Sequence, residues 1–433
     1  MKNWILITLF LFLISCSGKI RDSYFTSRKA GYYFSKVERI CNRDNGELWG
    51  KNLSGPLMFI DRNTRKIVAN QPDSEGILKL KDSVYTGIYP KEKIIYNSSV
   101  MLGGTLFGMA PLTDTEDEYR ITTRAIHALF HRFQEVSGIP PSSYIIPSMD
   151  EKQARIWLKL EWEALGKAIN SQGEERLRYL RDALIFRGAN HESFPADVED
   201  EKKFESYEGF ATYTYLFLCT GSPEEFRQKL FEYLDRIYSF QSYSRSYGFV
   251  HGALYATLLH EKGFDFRTIK PGDTDPGELA RSAYGIELPA LCRDVAGSIA
   301  LNYDIEAIRK EEEQRLREIK DRLNSASSIF TEKPVVYLEL ESPYFDFEPE
   351  DVHSLDSLGT LYNSIRVSDN WGKLTVDKGG CLVSNNFRYL RITARDFKKE
   401  KNHVFGEGWQ LILKDNWEIA AVKQNYYIRQ KVR

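Results

Sequence analysis

The spacing of apolar positions changes character several times along the chain. Ala30, Phe34, Val37 and Cys41 recur at helical intervals, which predicts a short helix over 24–44 that stops at Asn45-Gly46. From Leu57 to Leu112 the runs are short and strand-like. Leu57–Asp61 and Lys66–Asn70 flank Arg62–Arg65 as a hairpin, and Val84–Tyr89 and Ile94–Tyr96 follow. Val100–Leu112 is apolar and punctuated by Gly103, Gly104 and Gly108, as in a strand whose backbone is closely approached. After Pro111 the period becomes helical, with helices expected over about 116–137, 150–170, 173–187, 201–219, 223–240 and 247–262.

Residues 303–324 form a charge-dense helix with one thin stripe of Ile305, Ile308, Leu316, Ile319 and Leu323, interrupted by Glu312. Such a stripe suits a solvated helix lying on a domain better than a coiled coil. Asn324–Ser328 is expected to end it. From Pro334 onward, alternating runs at Val335–Leu340, Leu361–Val367, Lys373–Val376, Tyr389–Thr393, Gln410–Leu413 and Trp417–Val422 predict a separate β domain. Trp371, Trp409, Trp417, Tyr426 and Tyr427 either fill its core or line a glycan or peptide surface. The fold class expected is α+β: a mixed N-terminal sheet region, a helical body and an all-β C-terminal domain.

Composition changes this picture little. The 433 residues carry 59 Lys+Arg against 61 Asp+Glu, and this near-balance argues against a nucleic-acid-binding surface. Five cysteines are too few for a disulfide scaffold. Cys41, Cys219, Cys292 and Cys381 show no metal-binding spacing and read as buried free thiols, with a disulfide or two left open.

The first residues set an address. A basic start, Met1-Lys2-Asn3, precedes the apolar run Trp4–Ile14, which as a helix would span about 16 Å, roughly half a bilayer core. It reads as a secretory leader. Its end, Leu13-Ile14-Ser15-Cys16, resembles a bacterial lipobox with Cys16 as the acylated residue. The expected organisation is therefore a signal peptide over 1–15, a lipidated tether over 16–23, an α+β domain over 24–328 and a β domain over 329–433. The mature protein would be held on a bilayer through Cys16, facing an extracytoplasmic space.

Candidate chemistry concentrates in two windows. His127 and His131 stand at i and i+4 in Ala125–Gln134, so both imidazoles project from one helix face and can reach one metal ion. Glu208, in Glu205-Ser206-Tyr207-Glu208-Gly209-Phe210-Ala211, lies on a second helix at a position fit for close packing. It could supply the carboxylate of a His₂Glu site; alternatively it opens a buried helix and pairs with an arginine such as Arg187. No phosphate-binding or serine-hydrolase motif accompanies them.

Together these windows resemble the HExxH helix and downstream Glu of gluzincin-type zinc metallopeptidases. They are closer to bacterial secreted proteins with an HExxHxxQ-like helix, whose Gln is matched by Gln134. The resemblance covers about residues 45–290 and implies zinc ligation by His127, His131 and Glu208. It departs at one position: Ala128 stands where the family has its catalytic Glu. Loss of that proton acceptor removes about 10²–10⁴-fold of rate. Glu161 and Glu205 are the carboxylates that could replace it from other helices. Tyr247 and His251, one turn apart, are candidate oxyanion partners or simply packed residues.

The expectation is a lipoprotein with a degenerate metallopeptidase-like site that binds peptide or protein segments and cleaves them weakly or not at all. An active peptidase with a relocated base is the alternative, and a metal-free scaffold lipoprotein is the second.

Overall fold

A computed structural model describes residues 26–431 apart from 63, 91–92, 113–116, 143 and 348–351. The leader and Cys16 lie outside the described residues. The fold class is α+β, and the chain divides after Val136 into two compact units.

The first unit begins with α1 (Ser27–Asp44), whose Thr26 hydroxyl accepts from the N–H of Lys29 and whose end is the left-handed Asn45. Ala30, Tyr33, Val37 and Cys41 form its buried face. Six strands follow: β1 (Leu57–Asp61), β2 (Lys66–Ala69), β3 (Lys79–Lys81), β4 (Val84–Ile88), β5 (Ser98–Leu102) and β6 (Thr105–Leu112). Among the described residues they form one sheet in the order β3-β4-β2-β1-β6-β5, antiparallel except for the β1–β6 pair. Met58, Ile60, Ile67, Phe107 and Met109 pack a core on this sheet.

Two expectations change here. Val100–Leu112 is a hairpin rather than one strand, because Gly103 and Gly104 both take positive φ and turn the chain. Ile94–Tyr96 is not a strand: Arg65 donates to the carbonyls of Tyr89 and Lys93 and draws the chain around Pro90 into a loop. The close approach expected along this segment occurs at Gly108. A Cβ there would lie 3.0 Å from the backbone carbon of Ala128, so glycine lets α2 (Glu118–Val136) rest on β6.

The helices of the second unit are α3 (Lys152–Ile169), α4 (Gly173–Ser193), α5 (Val198–Phe204), α6 (Phe210–Cys219), α7 (Pro223–Tyr238), α8 (Tyr247–Glu261), α9 (Pro276–Tyr284), α10 (Arg293–Ile299) and α11 (Ile305–Glu332). The single helix expected over 201–219 is broken, since a π turn at Glu205–Gly209 separates α5 from α6. Helix α11 runs through Asn324–Ser328, a stretch without glycine or proline, and ends just before Pro334. Glu312 does not weaken its buried stripe: it is fully buried, accepts from Arg155 and Arg315 and forms an ion pair with Lys159. Among the described residues no helix is long and apolar enough to cross a membrane.

Within the same unit an all-β region follows as β7 (Val335–Glu339), β8 (Tyr344–Asp346), β9 (Val352–Ser354), β10 (Thr360–Tyr362), β11 (Ile365–Asp369), β12 (Gly372–Val376), β13 (Cys381–Val383), β14 (Tyr389–Thr393), β15 (Lys398–Glu400), β16 (His403–Gly406), β17 (Trp409–Leu413), β18 (Trp417–Val422) and β19 (Asn425–Gln430). Among the described residues they form two sheets, β18-β19-β7-β14-β13-β10-β9 and β15-β16-β17-β12-β11-β8. Alternate residues such as Val336, Leu338, Val367, Leu374, Ile392 and Leu411 meet in one core. Trp371 and Trp409 are buried in it and Trp417 and Tyr426 pack against it, so these four are core residues. Tyr427 alone of the five stays outside, stacked on Tyr337. Cys41, Cys292 and Cys381 are buried free thiols, and Cys219 is partly buried.

Candidate metal centre

Helix α2 is amphipathic, and its buried side carries His127, Ala128, His131 and Gln134 together with Ile121, Ala125 and Phe130. The i, i+4 spacing turns the two imidazoles toward each other, with their Nε2 atoms 2.8 Å apart. Gln134 explains their orientation. Its Oε1 lies 2.6 Å from Nδ1 of His131 and accepts that ring proton, which leaves Nε2 of His131 with a lone pair. This is how a second residue fixes the tautomer of a metal-binding histidine. Burial, with His131 and Arg124 adding to it, holds the pKa of His127 well below the ordinary histidine value. His127 is therefore neutral at physiological pH, the state in which an imidazole can ligate.

Glu208 belongs to the π turn Glu205–Gly209. The glycine after it allows the turn to lie directly on α8: a Cβ on Gly209 would come within 2.5 Å of the Cα of Gly252. Glu208 does not pair with Arg187, as one sequence reading allowed. Arg187 instead forks onto Glu205, with Nη1–Oε1 at 3.0 Å and Nη2–Oε2 at 2.7 Å. His127, His131 and Glu208 form a group that could hold a metal ion: one ligand atom from each, all within 4.8 Å of one another. Two imidazoles and one carboxylate are a donor set for a divalent transition-metal ion.

The remaining candidates are placed as follows. Ala128 is fully buried. Glu161 is also buried and accepts from the hydroxyl of Tyr255, and its Oε1 stands 3.1 Å from Nε2 of His251. Burial opposes its charge, but His251, Arg187 and Tyr255 together hold its pKa below the usual carboxylate range. Neither nitrogen of His251 is idle, because the indole N–H of Trp162 donates to Nδ1 at 2.9 Å and Nε2 faces Glu161 and Arg187. The hydroxyl of Tyr247 is buried and lacks a hydrogen-bond partner among the described residues.

Sequence reasoning did not find the role of Arg187, whose only signal was a cation inside an otherwise apolar helix segment, Ala183-Leu184-Ile185-Phe186-Arg187. No family model matches the chain, and neither the curated proteins nor the solved structures contain a similar one.

Proposed function

We propose that the chain is a lipid-anchored envelope protein whose His127, His131 and Glu208 hold zinc and whose site binds a peptide or protein segment with little or no hydrolysis. The grouping of these three side chains, with alanine rather than a carboxylate at 128, carries the reading. The peptide class rests on the likeness of the two windows to gluzincin-type helices, and the anchor rests on the lipobox-like Cys16.

His127, His131 and Glu208 would hold the zinc, which would supply Lewis-acid polarisation of a carbonyl group. Gln134 orients His131 for this, and the π turn presents Glu208. Hydrolysis also needs a base to take a proton from water, and Ala128 offers none. Glu161 and Glu205 are both committed to buried partners, Tyr255 and His251 for the first and Arg187 for the second, which favours binding over a relocated base.

The test is metal analysis of the protein beginning after Cys16, joined to a peptide-library assay. About one zinc per chain and no chelator-sensitive cleavage is the expected result. A metal-free protein after purification in zinc overturns the metal centre, and strong wild-type cleavage overturns the binding reading. For the anchor, Cys16→Ala should abolish partition of the full chain into detergent.

A further inference from the structure

Arg187 on α4 is the hub of a buried cluster that the metal reading does not use. Besides its fork onto Glu205, Nη2 reaches Asp275 Oδ1 at 3.1 Å, and Nη1 lies 3.1 Å from His251 Nε2 on α8. Arg187, Glu205 and His251 are each at most 5% exposed. Glu205 opens the π turn and Glu208 is its fourth residue.

The turn is held at both ends. At its head Glu205 is fixed by the guanidinium, and its carbonyl oxygen meets α8 so closely that a Cβ on Gly252 would lie 2.0 Å away. At its tail Gly209 rests on the same Gly252. A π turn holds one residue more than an α-helix would, and such turns relax unless something retains them. Relaxation by one residue rotates what the turn presents by about 100°. A buried arginine–glutamate pair is a poor way to gain stability, since desolvation offsets most of its attraction. Its worth here is geometric.

We propose that Arg187 is a positioning residue for the metal centre: by fixing Glu205 it keeps the π turn in the register that presents Glu208 as a ligand. The inference rests on the proposed metal centre, and the experiment separates the two. Arg187→Lys keeps the charge but loses the fork. Glu205→Gln keeps the shape and one acceptor but loses the charge. Glu312→Gln, in the ion cluster of α11, serves as the control. Each is loaded with cobalt(II), whose visible bands report the ligand set, and zinc affinity is read by competition with a chromogenic chelator. Near-UV circular dichroism checks the fold.

Arg187→Lys and Glu205→Gln should remain folded, bind zinc about 10–100-fold more weakly, and shift the cobalt spectrum toward that of Glu208→Ala. Glu312→Gln should lower the melting temperature with affinity and spectrum unchanged. Folded Arg187→Lys and Glu205→Gln proteins with wild-type affinity and spectrum would overturn the proposal while leaving the metal centre standing. A wild-type protein that takes up neither metal overturns both. Should Arg187→Lys not fold, Glu205→Gln decides the matter.

Discussion

Two clusters of buried charge lie in the second unit, and they are built differently. Glu312 receives Arg155 Nε at 2.8 Å and Arg315 Nε at 2.6 Å and pairs with Lys159 Nζ at 2.9 Å, while Lys159 also meets Glu311 at 2.9 Å and Arg155 stands 3.6 Å from Asp150. Nη2 of Arg155 donates to the carbonyl of Phe240 and the terminal nitrogens of Arg315 to those of Gln241 and Asp150, and Arg155 lies 3.4 Å over the ring of Tyr243. The helices that supply the charged groups, α3 and α11, are regular. Around Arg187 the carboxylates outnumber the cations. Three carboxylates, Glu161, Glu205 and Asp275, face one guanidinium and one imidazole, and the cluster abuts a π turn. Nearby the Tyr247 hydroxyl is left unpaired. Buried charge alone therefore does not mark a site. The backbone separates the two: only the second cluster sits on a π turn, a feature that accompanies functional sites.

The largest effect expected from this contrast is at Glu312. Glu312→Ala removes the carboxylate that Arg155, Lys159 and Arg315 share, and removing one partner of such a buried set costs about 3–5 kcal/mol. Urea unfolding should show that loss, and zinc content should not change. A parallel loss of zinc would mean the two clusters are not separable.

Ala128→Glu comes next. Sequence alone suggests easy tolerance, since glutamate is nearly as good a helix former as alanine. The position is fully buried, however, so a larger side chain should cost about 1–3 kcal/mol by overpacking in the metal-free protein. Zinc should restore part of that loss by compensating the new carboxylate, and chelator-sensitive peptide cleavage should appear or rise by about 10²-fold. A variant equally stable with and without zinc would place residue 128 away from the ion.

Gln134→Leu should be milder. It frees the ring of His131 without touching a ligand atom, and loss of such a partner lowers metal affinity by about tenfold, or 1.4 kcal/mol. Unchanged affinity in a chelator titration would assign the orientation of His131 to other contacts.

The β1–β2 hairpin and the alternating runs of the C-terminal β region could be read from the chain because their partners lie close in sequence or their faces alternate strictly, whereas the parallel β1–β6 pair joins segments about 50 residues apart and the β5–β6 hairpin read as one strand. Helix α8 was likewise legible almost to the residue. What escaped was set by distant partners. Glu312 looks like a flaw in an apolar stripe until Arg155 and Lys159, more than 150 residues earlier, are brought to it. The π turn has no signature in Glu205–Gly209, and the groups it meets, Arg187 and Gly252, lie on other helices. At the metal centre both histidines and Glu208 were readable as motifs, whereas the part played by Gln134 followed from geometry.

The smallest effect, and the one that separates the two clusters by sign, is their response to pH in metal-free protein. Burial works against the charge of Glu312, but Arg155, Lys159 and Arg315 outweigh it and hold its pKa below the ordinary 4.5. Between that lowered value and 4.5 the unfolded chain binds the proton and the native state does not. Stability present above 4.5 is therefore lost as pH falls below it, at no more than about 1.4 kcal/mol per pH unit. Glu205 behaves in the opposite sense. Burial outweighs Arg187 and His251 and raises its pKa above 4.5. In the window just above 4.5 the native state holds the extra proton, so this group's contribution weakens as pH rises. Urea midpoints measured from pH 3.5 to 7 should show it by difference. Against wild type, Glu312→Gln should flatten the acid limb below 4.5, while Glu205→Gln should flatten only the limb above it. If both substitutions changed the same limb in the same direction, the two carboxylates would share one electrostatic environment, and the distinction between a clamp and a positioning hub would fail.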